Sequence, residues 1–284
     1  MESQIRLRDW LRHRRGDIDA VVLDIDGVLA RSRRALPGAV ELLAELRGEG
    51  IPFTLLTNDG CSSPAEKRAY LASAGIDVAE EDIYSSSHAI ADLVRERGLR
   101  GELFFVMGKL GRPGYAEAAE LKVTRELSEM ESARGVIVGE TEFDWESSVN
   151  AAVNFLIRRP DALLVCPNPD EFFPVADGRI RLASGAVTGL IRDMVERYGR
   201  RCSPLYLGKP YEPIFAANHR RLERRSGGRV LERSRVLMVG DSLPGDIAGG
   251  QRFGYRAALV LTGLTTPQLL QVSEVRPDLV FEML

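Results

Sequence analysis

The sequence predicts an α/β protein built on a doubly wound parallel sheet that a second domain interrupts. Three observations lead to this prediction. Short apolar runs alternate with segments of helical periodicity near both ends of the chain. Several of these runs end at acidic, hydroxyl or lysine residues. Between about residues 99 and 201 the order of the elements changes, which indicates an inserted block.

The first half of the sheet is predicted within residues 20–98. The run at 20–23 is apolar, partly β-branched and too short for a helix, so it predicts a strand covered on both faces. Pro37 and Gly38 open a helix that ends near Glu49, and the apolar run 53–57 is the next buried strand. Strand, helix and strand in this order form a parallel crossover unit. Further helices are predicted at about 63–75 and 87–97.

The inserted block has enough apolar residues to form a small α+β domain of its own. We therefore predict a discontinuous core at residues 1–98 and 202–284 and an inserted domain at 99–201. The alternation of short apolar runs and helical segments found before residue 99 resumes after Pro204. In the block, strands are predicted at 103–107, 136–138 and 163–166 and helices at 115–120 and 147–158. After the block, strands are predicted at 205–207, 236–239 and 257–261 and a helix at 212–225.

Composition limits the classes of protein to which the chain can belong. Its 284 residues are 44% hydrophobic and 28% charged, as in an ordinary water-soluble protein. A net charge of −3 disfavours binding to nucleic acid or to a membrane surface. The amino terminus lacks the apolar core of a secretory signal, and the three cysteines are few, odd in number and far apart. We therefore expect a cytoplasmic protein with reduced thiols.

Two carboxylates follow the first predicted strand. Asp24 and Asp26 are two residues apart, so in an extended chain they point to the same side while Ile25 points to the other. They are expected at the carboxyl end of a strand, where open α/β sheets bind ligands. An ordinary solvated turn explains the same residues, because Asp-Gly is common turn chemistry. The motif alone does not decide between a turn and a site.

Three later strand ends carry residues suited to phosphate. Thr57 and Asn58 offer a hydroxyl and backbone N–H groups, although a local bond from the hydroxyl to the backbone is an alternative. Lys209 is one of only four lysines and stands between Gly208 and Pro210. It is interpreted either as a surface lysine or as a fixed ammonium that balances phosphate charge.

A second acidic strand end follows the predicted strand at 236–239. Asp241 and Asp246 are the ligand type that a hard divalent cation such as Mg²⁺ prefers, and Gly240 allows a close approach. The alternative is that Asp241 only caps the helix that follows. The paired carboxylates upstream favour the metal site.

The four motifs together, in this order and spacing, resemble the haloacid dehalogenase (HAD) superfamily of phosphohydrolases. The inserted block is similar to the large cap of the class IIA, NagD-like branch, as are the segments 167–170, 184–186 and 261–266. The resemblance implies a Rossmann-like doubly wound parallel sheet, the HAD core, with an inserted α/β cap domain of the C2 type. It also implies a phosphatase of small phosphorylated metabolites.

The resemblance assigns a role to each matching residue. Asp24 would be the nucleophile that forms an aspartyl phosphate, and Asp26 the general acid and base. Mg²⁺ would be bound by Asp24, the backbone carbonyl of Asp26, Asp241 and Asp246. The residues expected to bind phosphate are Thr57, Asn58 and Lys209. In the cap, the residues expected to select the leaving group are Asn168 and Asp170.

Two other functions stay open from the sequence. Asp59 stands where this branch more often has a neutral polar residue, and a carboxylate beside phosphate favours a catalytically weak module that only binds a phosphate ligand. A dehalogenase or phosphonatase is disfavoured by Asp26, since an acid that protonates an alkoxide is what ester hydrolysis needs. The oligomeric state also stays open from the sequence, although a homodimer formed through the cap is common in proteins that this chain resembles.

Overall fold

The computed structural model describes residues 6–175 and 179–284, and these form two compact units. The first unit contains residues 6–57, 64–84 and 209–284. The second contains residues 58–63 and the described part of 85–208. The domain boundaries predicted at 98/99 and 201/202 stay a prediction. The longer segment of the second unit begins at Ser85, and the chain returns to the first unit at Lys209.

The strands have two to five residues each, at the short end of the usual range. In chain order they are β1 Ala20–Leu23, β2 Ala30–Arg31, β3 Arg34–Ala35, β4 Phe53–Thr57, β5 Ile83–Ser85, β6 Leu103–Met107, β7 Lys122–Thr124, β8 Gly135–Val138, β9 Leu163–Cys166, β10 Phe172–Pro174, β11 Ile180–Leu182, β12 Leu205–Tyr206, β13 Val236–Gly240, β14 Arg256–Val260 and β15 Leu279–Phe281.

The α-helices flank these strands. In chain order they are α1 Leu7–His13, α2 Ala39–Gly48, α3 Pro64–Ser73, α4 Ala89–Arg97, α5 Tyr115–Ala118, α6 Trp145–Arg158, α7 Ser184–Arg197, α8 Glu212–Arg225, α9 Ala248–Phe253 and α10 Pro267–Val272. One π-helical turn, Leu243–Ile247, precedes α9. Among the described residues no helix is both long and apolar enough to cross a lipid bilayer.

The sheet of the first unit has the strand order β15-β14-β13-β1-β4-β5 in the described residues. The central strand β1 pairs in parallel with β13 on one side and β4 on the other. Its alternate residues enter different cores: Val21 and Leu23 pack with α2, and Ala20 and Val22 pack with α8. Helices therefore cover both faces of a parallel sheet, and the predicted α/β class is confirmed.

The second unit is a parallel α/β sheet as well, with the order β12-β9-β8-β6-β7 in its described residues. Along β6, Phe104 packs in a core with α4 and α5, and Phe105 packs in another with α6 and α7. The α+β class expected from its composition is wrong, whereas the α/β class that the resemblance implied is confirmed. Alternation of strands and helices was visible in the sequence, but strand direction was not.

One strand lies in a different sheet from the one predicted. The run at 205–207 was expected to resume the sheet of the first unit. Instead Leu205 and Tyr206 pair in parallel with Val165 and Cys166 of the second unit. Two apolar residues after a proline carry no information about a partner strand 40 residues away, since pairing is a tertiary property.

Candidate active site

Asp24 and Asp241 follow neighbouring strands of the first unit. β1 and β13 pair with Leu23 opposite Val239, so both strands end at the same edge of the sheet. The Asp24 amide continues the ladder by donating to the Val239 carbonyl at 2.9 Å. Both side chains are buried, with 7% of Asp24 and 2% of Asp241 exposed. The predicted meeting of these two carboxylates at one sheet edge is therefore observed.

Lys209 lies inside this acidic group. Its ammonium is 2.7 Å from Asp24 Oδ1 and 2.7 Å from Asp246 Oδ1, and it donates to the Leu56 carbonyl at 3.2 Å. Burial opposes its charge, but the two carboxylates outweigh burial and raise the pKa of Lys209 above its ordinary value. Lys209 is thus a fixed buried cation, and the alternative of a surface lysine is excluded.

Asp246 is held by the chain that follows β13. The π-helical turn Leu243–Ile247 directs its carboxylate back toward the strand end. Its Oδ2 accepts from the Asp241 amide at 3.1 Å and from the Ser242 amide at 3.0 Å. One carboxylate oxygen is therefore satisfied by backbone and the other by Lys209, so Asp246 orients Lys209.

Asp241 is contacted by the loop that follows β14. The Leu264 amide donates to Asp241 Oδ2 at 2.6 Å, and the Thr265 hydroxyl donates to the Asp241 carbonyl at 2.6 Å. Space for the carboxylate exists because two neighbours are glycines. A Cβ would lie 2.2 Å from Asp241 Oδ2 at Gly27 and 1.7 Å from it at Gly263. The alternative that Asp241 is only a helix cap does not account for this enclosure.

The donor set of this site fits a divalent cation. Oxygens of Asp24, Asp241 and Asp246 lie within 4.8 Å of one another. Burial raises the pKa of Asp24 well above its ordinary value, and burial followed by the charge of Asp246 raises the pKa of Asp241 to about 7. Lys209 contacts two of the three buried carboxylates, so one ammonium does not balance the charge that the three carry when ionised. Hard oxygen donors with excess negative charge are suited to Mg²⁺.

Asp26 differs from Asp24 in its environment. Its side chain is 54% exposed, and Oδ2 lies 3.3 Å from the Lys67 ammonium. Lys67 is itself buried, with 6% exposed. The sequence reasoning missed Lys67. The available signal was its rarity, as one of four lysines, and its place in the first turns of the predicted helix at 63–75.

The predicted phosphate-binding residues fall in both units. Thr57 ends β4 in the first unit and is 2% exposed. Asn58 follows it directly but belongs to the second unit, where its side-chain amide donates to Asp170 Oδ1 at 3.0 Å. The side chain of Asn58 therefore serves a bond within the second unit. Phosphate binding by its backbone stays a prediction.

The residues predicted to select the leaving group form a polar cluster in the second unit. Asn168 is buried and its side-chain amide donates to Glu140, while its side-chain Oδ1 accepts from the Asp170 amide at 2.9 Å. Burial, followed by the charges of Asp59 and Asp170, raises the pKa of Glu140 to about 7. Glu140 was not identified from the sequence, since a lone glutamate after a strand has no distinguishing pattern.

The Asp59 carboxylate turns back into its own loop. Its Oδ1 accepts from the Cys61 amide at 3.0 Å and from the Ser62 amide at 3.1 Å. This is the local side-chain turn that aspartate commonly forms. The one feature that favoured a catalytically weak binding module thus has a structural explanation in the loop.

Two family models match the sequence. A haloacid dehalogenase-like hydrolase model matches residues 21–122, and a HAD-hydrolase-like model matches residues 206–284. The matched segments include the strand ends that carry Asp24, Thr57, Lys209 and Asp241.

Similar proteins match almost the whole chain. The ribonucleotide monophosphatase NagD of Escherichia coli K12 is 29% identical over 269 residues, which cover 93% of this chain and 96% of NagD. Chronophin of Mus musculus is 30% identical over 267 residues, covering 92% of this chain and 85% of chronophin. Among solved structures, the p-nitrophenyl phosphatase from Archaeoglobus fulgidus has a TM-score of 0.78 at 27% identity and covers 94% of this chain and 97% of its own.

Proposed function

Because this chain belongs to the haloacid dehalogenase-like hydrolases, as a phosphoric monoester hydrolase of the class IIA, NagD-like branch, we propose that it is a Mg²⁺-dependent phosphatase that works through an aspartyl phosphate. The substrates are small phosphorylated metabolites. The observation that supports this most strongly is the buried group of Asp24, Lys209, Asp241 and Asp246 at one sheet edge. It combines a nucleophile, a fixed cation and an oxygen donor set for a metal.

The first step is attack by the Asp24 carboxylate on phosphorus. An Asp24 O–P bond forms while the bond from phosphorus to the leaving oxygen breaks. Lys209 favours the ionised, nucleophilic form of Asp24 and holds its orientation through the 2.7 Å contact. Asp26, the more exposed carboxyl, protonates the leaving oxygen.

The second step releases phosphate. Asp26, now a carboxylate, takes a proton from a water that attacks the phosphorus of the aspartyl phosphate, and the Asp24 O–P bond breaks. Thr57 and Lys209 contribute a hydroxyl and a positive charge to the phosphoryl oxygens in both steps. When bound, Mg²⁺ would be held by Asp24, the Asp26 carbonyl, Asp241 and Asp246 and would neutralise charge on the phosphoryl group.

The test is hydrolysis of p-nitrophenyl phosphate with Mg²⁺, with and without EDTA. We expect activity that EDTA removes and added Mg²⁺ restores. Asp24→Asn abolishes turnover, whereas Asp161→Asn, at an exposed position of the second unit, retains it. Activity that survives both EDTA and Asp24→Asn contradicts the proposal.

The substrate is sought among phosphorylated metabolites. NagD is named for ribonucleotide monophosphates, so nucleoside monophosphates belong in the panel beside sugar phosphates and glycerol phosphates. We expect one class to exceed the others in kcat/KM by about tenfold or more, because pocket contacts discriminate by a few kcal/mol. Tight binding across the panel without turnover indicates instead a phosphate-binding module. The cytoplasmic location and the absence of nucleic-acid binding stay predictions.

A homodimer formed through the second unit is part of the proposal. The hairpin of β10 and β11 exposes apolar side chains, with 47% of Phe172, 58% of Ile180 and 56% of Leu182 exposed. Exposed apolar groups gathered on one element are typical of an interface. Light scattering is expected to give twice the chain mass, and Leu182→Glu to give the monomer mass. A monomeric wild type refutes the dimer without affecting the phosphatase.

A further inference from the structure

Lys67 is a buried lysine in contact with the proposed general acid. It belongs to α3 and is 6% exposed, while its ammonium lies 3.3 Å from Asp26 Oδ2. The ammonium also lies 5.2 Å from the centroid of the Tyr70 ring. Lysine is almost never fully buried unless its charge is paired. The burial of Lys67 therefore holds its ammonium close to the Asp26 carboxyl.

Stability does not account for this lysine. Position 67 is the fourth residue of α3, at the end of a helix where a positive charge is unfavourable. Its partner Asp26 is 54% exposed, and ion pairs with an exposed carboxylate contribute little to folding. Ordering a long side chain also costs conformational entropy. A buried lysine at such a position is better explained by the chemistry of Asp26.

We propose that Lys67 is a positioning residue for Asp26 in general acid catalysis. By engaging Oδ2, the ammonium leaves Oδ1 as the oxygen that carries the proton to the leaving group. The Asp26 O–H bond breaks as the proton moves to the leaving oxygen, and negative charge develops on the Asp26 carboxylate. The nearby ammonium stabilises that charge. The inference rests on the proposed function, because it needs Asp26 to act as the acid.

The leaving group separates this role from a structural one. An alkoxide such as that of glycerol phosphate departs poorly without a proton, whereas p-nitrophenolate departs readily without one. A group that acts through the general acid therefore affects glycerol phosphate far more than p-nitrophenyl phosphate. A group that only maintains the fold affects both substrates alike.

The experiment measures kcat and KM of Lys67→Met on both substrates and compares kcat/KM, which in a two-step mechanism reports the first step and not the later step in which Asp26 acts as a base. We expect kcat/KM for glycerol phosphate to fall by about ten- to a hundredfold, a part of the ~10²–10⁴-fold that general acids supply. We expect kcat/KM for p-nitrophenyl phosphate to change by less than about threefold. Lys67→Arg, which keeps the charge, restores part of the loss. Lys122→Met, at an exposed residue of β7, is the matched control and behaves as the wild type.

A double variant tests whether Lys67 acts through Asp26. In an Asp26→Asn background the further change Lys67→Met is expected to have no additional effect on kcat/KM for glycerol phosphate, since residues that act as a unit are not additive. Equal losses on both substrates, or full additivity with Asp26→Asn, overturn the inference. A wild-type protein inactive on both esters instead refutes the proposed function, so the two failures are distinguishable.

Discussion

The two carboxylates of the first acidic motif lie only two residues apart but have different environments. Asp24 is buried beside Lys209, whereas Asp26 is exposed beside Lys67. Each acid therefore has its own lysine, and the two lysines come from segments far apart in the sequence. The period of an extended chain predicted that both acids share a side, but burial and partners depend on tertiary contacts.

Glu140 allows a prediction about pH at a single residue. Its pKa is raised from 4.5 to about 7, so ionisation is less favourable in the folded than in the unfolded chain. Below pH 4.5 the Glu140 carboxyl is neutral in both states and costs no stability. The loss of folding stability caused by its ionisation grows as the pH rises from 4.5 to about 7 and is complete above that pH. Glu140→Gln keeps an acceptor for Asn168 without the charge, and is expected to be more stable than the wild type at pH 8 by up to ~3 kcal/mol.

The measurement for Glu140→Gln is urea unfolding at pH 5 and at pH 8. The gain in the free energy of unfolding should be small at pH 5 and large at pH 8. Glu102→Gln, at an exposed position in the same unit, should give no pH-dependent difference. A gain that is equal at both pH values indicates that the carboxyl of Glu140 is not perturbed as described.

Among the elements, the loop after β14 completes the site, although the resemblance noted for residues 261–266 assigned this loop no role. The Thr262 hydroxyl donates to the Gly27 carbonyl at 2.6 Å, and the Leu264 amide donates to Asp241. This loop therefore joins the turn after β1 to the turn after β13. The pairings of β13 with β1 and with β14 bring these three segments together, and the sequence did not reveal them.

Gly263→Ala tests the role of this loop. The added Cβ would lie 1.7 Å from Asp241 Oδ2, so the carboxylate must move. We expect phosphatase activity to fall at least about tenfold, since the geometry of metal and phosphate ligands is disturbed. The added methyl of Gly189→Ala, in the middle of α7, meets nothing within 4 Å. This control should keep full activity and gain about 0.5–1 kcal/mol of stability. Full activity of Gly263→Ala contradicts the assigned role.

At the scale of the whole molecule, the sequence predicted the α/β class and the ends of β1, β4 and β13, which carry Asp24, Thr57 and Asp241. These follow from local properties: short apolar runs, helical periodicity and polar residues at strand ends. It did not predict the sheet that receives Leu205 and Tyr206, or the contact of Lys67 with Asp26. Both are contacts between segments about 40 residues apart, and no periodic pattern encodes them.

In the proposed mechanism Asp24 carries the phosphoryl group between the two steps. The direct measurement uses Asp26→Asn and p-nitrophenyl phosphate labelled with ³²P. This ester needs no acid for its first step, and the variant lacks the base for the second step, so the intermediate should accumulate. After acid quench and proteolysis, we predict one label per chain on the peptide that contains Asp24, and none in Asp24→Asn. Release of labelled phosphate without a labelled peptide at any quench time would contradict an aspartyl phosphate on Asp24.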